Sequence, residues 1–173
     1  MKKPVLIHPF LFGIFPVFFL YAQNIEQLSF SETLLPTIIV ICFTILLFVM
    51  SKWVFKDYQK AGLLVSISLV LFFSYGHIWD VIQGLPRIGF ILGRKRYILL
   101  SYGILFVCSI YLTLRKKKNL NNVTNFLNIV SVSLVLISLL NIGTYKIKTR
   151  NLLHEKGSLG ARELTKVDSV QTE

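Results

Sequence analysis

The stretch AGLLVSISLVLFFSYGHIWD, from Ala61 to Asp80, decides the fold class of this chain. It carries no formal charge before Asp80, and about 19 residues of helix cross roughly 29 Å, close to the ~30 Å hydrocarbon core of a bilayer. A helix on the core of a soluble protein needs a polar face, and this stretch has none. We therefore predict a transmembrane helix over residues 61–79.

The composition of the whole chain agrees with a membrane protein. Of its 173 residues 54% are hydrophobic and only 16% are charged, whereas soluble domains carry about 25% charged residues. Further apolar stretches predict spans at residues 5–21, 34–50, 97–114 and 123–143. The predicted fold class is all-α, a polytopic membrane bundle of about five transmembrane helices (residues 1–144). We expect residues 145–173 to be a polar tail or linker. Part of this segment could form a helix that lies on the membrane surface.

The first span has two interpretations. A basic start, an apolar run and a cleavage point after Ala22 also describe a signal peptide. The run is long for a signal sequence and contains Pro9 and Pro16, so we favour an uncleaved, kinked helix. His8 lies near the charged start, and we expect an interfacial polar residue there rather than a ligand.

Basic clusters flank the apolar runs and give a net charge of +11. This placement indicates the lipid bilayer, with its anionic headgroups, as the partner rather than nucleic acid. The positive-inside rule predicts a cytoplasmic N-terminus and an extracytoplasmic C-terminus. The inner segments then hold Lys2, Lys3, Lys52, Lys56, Lys60, Arg115, Lys116, Lys117 and Lys118. The basic tail opposes this orientation, but it counts for less if a large domain follows it.

The triplet Arg94, Lys95 and Arg96 conflicts with the orientation, because it falls on the outer side. Either it contacts anionic lipid headgroups there, or the third span does not fully cross the membrane. The preceding sequence contains several glycines and a proline. We expect Val81–Arg96 to be an interfacial or partly re-entrant loop.

Few residues are of the types that take part in catalysis or bind metals and cofactors. No phosphate-binding loop or zinc motif occurs, so no catalytic, metal or cofactor-binding residue is predicted. Cys42 and Cys108 lie in apolar runs and are interpreted as small hydrophobic residues. His77 and Asp80 share a helical face. They could hold a metal or relay a proton, but a polar pair at the membrane interface is favoured. No acidic residue lies mid-span, which argues against a transporter or proton pump.

The fifth span is the most polar of the five. Small and polar side chains inside a span favour helix–helix packing, which we prefer to a substrate path. The residues concerned are Asn125, Asn128, Ser131, Ser133, Ser138 and Asn141.

Four segments carry a family resemblance: HPFLFGIFPVFFLYAQNIEQ (His8–Gln27), KAGLLVSISLVLFFSYGHIWD (Lys60–Asp80), LGRKRY (Leu92–Tyr97) and TNFLNIV (Thr124–Val130). In order and spacing, over roughly the first 145 residues, they resemble the N-terminal membrane region of bacterial and archaeal sulfatase-like proteins. These belong to the alkaline phosphatase superfamily and are comparable with phosphoglycerol transferases. None of the four segments is catalytic.

The resemblance implies a membrane anchor that presents an extracytoplasmic sulfatase-like hydrolase or phosphotransferase domain to envelope or lipid-linked substrates. This chain lacks the metal-binding motif of that catalytic domain, and Asp168 does not stand in such a motif. The family's activity is therefore not assigned to these residues. The alternative is a stand-alone small membrane protein, such as a transporter or an assembly subunit, without enzymatic activity.

Overall fold

The computed structural model describes residues 4–85, 95–115 and 120–170, with side chains described as far as residue 151. Over these ranges the chain forms five α-helices and no strand. The helices are α1 (His8–Gln23), α2 (Leu34–Phe55), α3 (Tyr58–Gln83), α4 (Lys95–Arg115) and α5 (Asn121–Val170), and a 3₁₀ turn, Phe30–Thr33, precedes α2. The predicted all-α fold class is confirmed.

Four of the helices in the described ranges are long and apolar enough to cross a membrane. They are α2 with its preceding turn, α3, α4 and the first 31 residues of α5. Large apolar side chains cover their outer surfaces; Leu35, Phe72, Leu99 and Ile129 are each at least 65% exposed. A soluble monomer rarely exposes so continuous an apolar surface. This is the architecture of a multi-pass membrane protein.

The first helix is shorter than its predicted span. Helix α1 has 16 residues and begins at His8 rather than Val5, so its length is roughly 24 Å. Pro9 stands in its first turn, where the missing N–H has no helical partner to lose. Only Pro16 lies inside the helix. The expectation that both prolines interrupt the helix was therefore wrong for Pro9.

Two other boundaries differ from the sequence-based expectation. Residues Val81–Gln83 continue α3, and Lys95 and Arg96 open α4, so the loop predicted at Val81–Arg96 was wrong at both of its ends; residues 86–94 lie outside the described ranges. Helix α5 does not end at Gly143 but runs on to Val170. One glycine costs a helix only about 1 kcal/mol relative to alanine, which does not stop a helix that continues on both sides.

Helix α1 lies at the centre of the bundle. It packs against α2, α3 and most extensively α5, while α4 packs on α3. Helices α1 and α5 run parallel. The start of α1 contacts Asn128, near the start of α5, and the last turn of α1 contacts Phe30, which lies beneath Lys146, further along α5. We name the two ends of the bundle by residues: the Lys56 end, where α1, α3 and α5 begin, and the His77 end, where α3 finishes.

A two-residue turn joins α2 to α3 at the Lys56 end. Lys56 adopts a left-handed conformation with φ 53°, and its N–H donates to the carbonyl of Lys52. The Asp57 carboxylate then accepts from the backbone N–H groups of Gln59 (2.8 Å) and Lys60 (3.4 Å). This side-chain cap satisfies donors that the first turn of a helix leaves unpaired. The turn therefore makes α2 and α3 antiparallel neighbours.

Small polar residues form the face of α5 that packs on α1. Thr124, Ser131 and Ser138 recur every seven residues and are at most 2% exposed. Ser131 and Ser138 donate their hydroxyls to the carbonyls of Asn128 and Leu134, so neither hydroxyl is left unpaired in the contact. Small residues let two helix backbones approach closely. The packing role predicted for the polar residues is confirmed for Ser131 and Ser138, while Asn125, Ser133 and Asn141 are exposed.

A glycine sets the distance between α1 and α2. A Cβ atom built at Gly13 would stand 2.8 Å from Oγ1 of Thr44 and 3.1 Å from Cγ1 of Val40. Thr44 is fully buried, and its hydroxyl donates to the carbonyl of Val40. Both distances are shorter than an ordinary van der Waals contact, so the two helices can be this close only because residue 13 has no side chain.

We predict that Gly13→Ala lowers the free energy of unfolding by about 1–3 kcal/mol, the usual cost of overpacking. The matched control is Gly103→Ala in α4, where nothing lies within 4 Å of the new methyl group; helix propensity there favours alanine by up to ~1 kcal/mol. Thermal unfolding in detergent compares the two. Adding Thr44→Ala should recover part of the loss. Equal midpoints for the two single variants would contradict this account of the α1–α2 contact.

Candidate functional site

The pair predicted at the end of α3 does not form a bonded site. His77 and Asp80 are both exposed. Within the described ranges, no hydrogen bond or ion pair joins them. The His77 ring instead packs edge-on against Phe19 of α1, with centroids 6.3 Å apart. Nor do three potential metal ligands come together anywhere in those ranges.

Two members of the predicted basic triplet start α4, and Arg94 lies outside the described residues. The Lys95 amine stands 5.5 Å from the centre of the Trp79 ring, and the Arg96 guanidinium 5.8 Å from the ring of Tyr97. Both side chains are exposed. An exposed cation over an aromatic ring gains about 0.5–1 kcal/mol. The Lys95–Trp79 contact therefore links the end of α3 to the start of α4.

A similar contact lies on the other side of the His77 end. The Lys146 amine stands 5.4 Å from the centre of the Phe30 ring, and Phe30 packs edge-on against Tyr21. Aromatic rings beside lysine and arginine are typical of the depth at which lipid headgroups begin. The His77 end thus has the side chains of a membrane–water interface.

An apolar cleft opens beside this end. Its volume is about 440 Å³, and it is lined by α1 and α3, with Leu134 of α5 completing the wall. Phe12 and Leu69 form its buried floor, at 8% and 0% exposure, while Leu20 and Val70 at its margin are about half exposed. The cleft is therefore open to whatever surrounds the bundle.

Ser74 and His77 are the two residues with polar side chains among those that line the cleft. The Ser74 hydroxyl lies 3.1 Å from the Tyr102 hydroxyl of α4 and donates to the carbonyl of Leu71 at 3.2 Å. His77 lies about one turn further along α3. The cleft thus has an apolar floor and, toward the His77 end, one hydroxyl and one imidazole.

A second polar group of residues is buried near the opposite, Lys56 end. His8 is only 1% exposed, and its Nδ1 lies 2.6 Å from the hydroxyl of Ser66 in α3. The expectation of an interfacial His8 was wrong, because the ring points between the helices rather than toward the water. A buried imidazole is stable there only with hydrogen-bond partners, and Ser66 supplies one.

Asn128 of α5 holds the start of α1 in the same group. Its Oδ1 accepts from the backbone N–H groups of Ile7 (3.3 Å) and His8 (3.0 Å), and its Nδ2 donates to the carbonyl of Val5 (2.7 Å). One amide thus satisfies N–H groups that the start of a helix leaves open and the carbonyl of Val5, which precedes the helix. We call His8, Ser66 and Asn128 the buried histidine cluster.

The remaining ring nitrogen of His8 decides the tautomer. Nε2 is buried and has no hydrogen-bond partner in the described part of the chain. An orphaned N–H is rarer in proteins than an acceptor that lacks a partner. We assign the proton to Nδ1, which then donates to Ser66, and Nε2 keeps its lone pair.

Comparisons with known proteins return no match. No family model matches the chain, and neither a curated protein nor a solved structure is similar to it. The resemblance to sulfatase-like membrane regions therefore stays a prediction.

We predict that Asn128→Leu lowers the free energy of unfolding by about 2 kcal/mol, because it leaves backbone groups at the start of α1 without partners. Asn125→Leu is the control, since Asn125 lies one turn earlier on α5, is exposed and makes no such hydrogen bond with the residues that the structure describes. Thermal midpoints in detergent measure both. Similar midpoints for the two variants would show that the amide of Asn128 does not hold α1.

Proposed function

We propose that this chain is a multi-helix membrane anchor that carries a polar helical segment out of the bilayer. The observation that carries the proposal is the continuity of α5 from Asn121 to Val170. Its stretch Asn121–Asn151 is apolar enough to span a membrane, and its buried face is held by α1. Residues 152–170 extend the same helix by roughly 28 Å.

A continuous helix positions what it carries more firmly than a flexible linker does. Residues 152–170, LLHEKGSLGARELTKVDSV, have no apolar run that could re-enter the membrane. In this proposal the segment presents a sulfatase-like hydrolase or phosphotransferase domain, which acts outside the membrane on envelope or lipid-linked substrates. The resemblance in the first 145 or so residues supports that part, and the chemistry belongs to the presented domain.

The proposal includes an orientation, with the Lys56 end in the cytoplasm. Helices α2, α3 and α4 bring Lys52, Lys56, Lys60 and Arg115 to that end, and Lys116–Lys118 follow Arg115 directly in the sequence. Basic residues close to span ends favour the cytoplasmic side. The His77 end, with its aromatic and basic contacts, then lies in the outer leaflet.

We predict that an alkaline phosphatase reporter fused after Gln171 is active and that one fused after Lys117 is inactive. The enzyme folds only where disulfides form, outside the cytoplasm. Phosphatase activity per fusion protein is the measurement, with immunoblotting to correct for its amount. The reverse pattern would overturn the orientation.

The nature of the presented domain has a separate test. The reading frame downstream of Glu173 should continue into a sulfatase-like domain with a metal-binding aspartate. A stop codon without such a frame would instead favour the stand-alone membrane protein. The two tests are independent, because the orientation can hold whichever domain follows.

A further inference from the structure

We propose that the cleft between α1 and α3 binds one acyl chain of an anionic phospholipid, with the lipid headgroup at the His77 end. This inference goes beyond the anchor role and does not rest on it, because every residue involved belongs to the bundle itself.

The cleft changes from apolar to polar in one direction. Its floor is formed by Phe12 and Leu69, and its two polar side chains, Ser74 and His77, follow along α3. From Leu69 to His77 the helix rises roughly 12 Å. Hydrocarbon therefore matches the floor, while the exposed imidazole of His77 can donate a hydrogen bond to an ester or phosphate oxygen of a headgroup.

The length of the cleft sets how much of an acyl chain it can hold. With carbon–carbon bonds of about 1.5 Å an extended chain rises roughly 1.3 Å per methylene, so the cleft takes about nine methylenes.

The margin of the cleft gives such a chain a way in. Val70 is 47% exposed and Leu20 is 51% exposed. Both side chains are exposed at the outer surface of the membrane bundle, so a neighbouring phospholipid can place one chain in the cleft sideways, without leaving the bilayer.

Positive charge at the same end selects the headgroup. Lys95 lies over Trp79 and Lys146 over Phe30. Both amines are exposed, and neither pairs with a carboxylate in the ranges that the structure describes. Basic side chains at headgroup depth attract anionic lipids by about 1 kcal/mol each near the surface, which favours phosphatidylglycerol over phosphatidylcholine.

The test uses the 173-residue chain, reconstituted in vesicles of equal parts phosphatidylglycerol and phosphatidylcholine and then extracted into mild detergent. Native mass spectrometry measures the lipid that stays bound. Val70→Trp fills the cleft from its margin. Val107→Trp makes the same change on α4, where Val107 is 63% exposed and does not line the cleft.

We expect one phosphatidylglycerol to remain on the wild-type chain and on Val107→Trp. Val70→Trp should retain about tenfold less, since displacing only two methylenes changes affinity by about that factor. Equal retention by all three proteins would overturn the proposal. So would equal retention of the two lipids, or a dimer that Val70→Trp dissociates, because the cleft would then be an interface between copies.

A second measurement needs no variant and stands even if Val70→Trp does not fold. Phosphatidylglycerol with a photoreactive diazirine on its acyl chain is crosslinked to the wild-type protein, and the labelled residues are mapped. Labels concentrated on Phe19, Phe73 and Leu134 are the expected result. Labels spread evenly over lipid-facing residues such as Leu99 and Ile129 would overturn the proposal.

Discussion

The hydrogen bonds of one amide, that of Asn128, hold the bundle in its observed arrangement. A bilayer offers no water to the backbone groups at a helix start, so these groups need partners within the protein. Asn128 supplies partners for residues 5, 7 and 8. This fixes α1 along α5, and α1 in turn contacts α2 and α3. The cleft depends on the same contact, because α1 provides much of its wall.

The helices were predictable because their signal is local. An apolar stretch without a polar face, such as Ala61–Asp80, has to become a membrane helix, and α3 contains all of it. The packing role of the polar residues in α5 was also predictable from sequence. Ser131 and Ser138 are seven residues apart, on one face of the helix, and small side chains let two helices approach closely. Boundaries were harder. The sequence predicts that the fifth span ends at Gly143, but a helix supported on both sides continues through a single glycine.

The polar groups were predictable only where their partners are close in sequence. Spacing puts His77 and Asp80 on one face of a helix, yet it does not show that the His77 ring packs against Phe19 of another helix. His8 meets Ser66 and Asn128, which lie 58 and 120 residues away. Local spacing cannot reveal such a cluster. The cleft could not be predicted from sequence for the same reason, since it lies between helices that are far apart in the chain.

The continuity of α5 has a mechanical consequence. A rod under tension passes the load along its axis, and α5 has no flexible joint between Asn128 and residue 151, roughly 35 Å away. A pull on the polar segment is therefore passed along α5 to its contacts with α1, which include the buried Ser138 and Ser131 as well as Asn128. The load is thus shared along the apolar length of α5 rather than carried at one point.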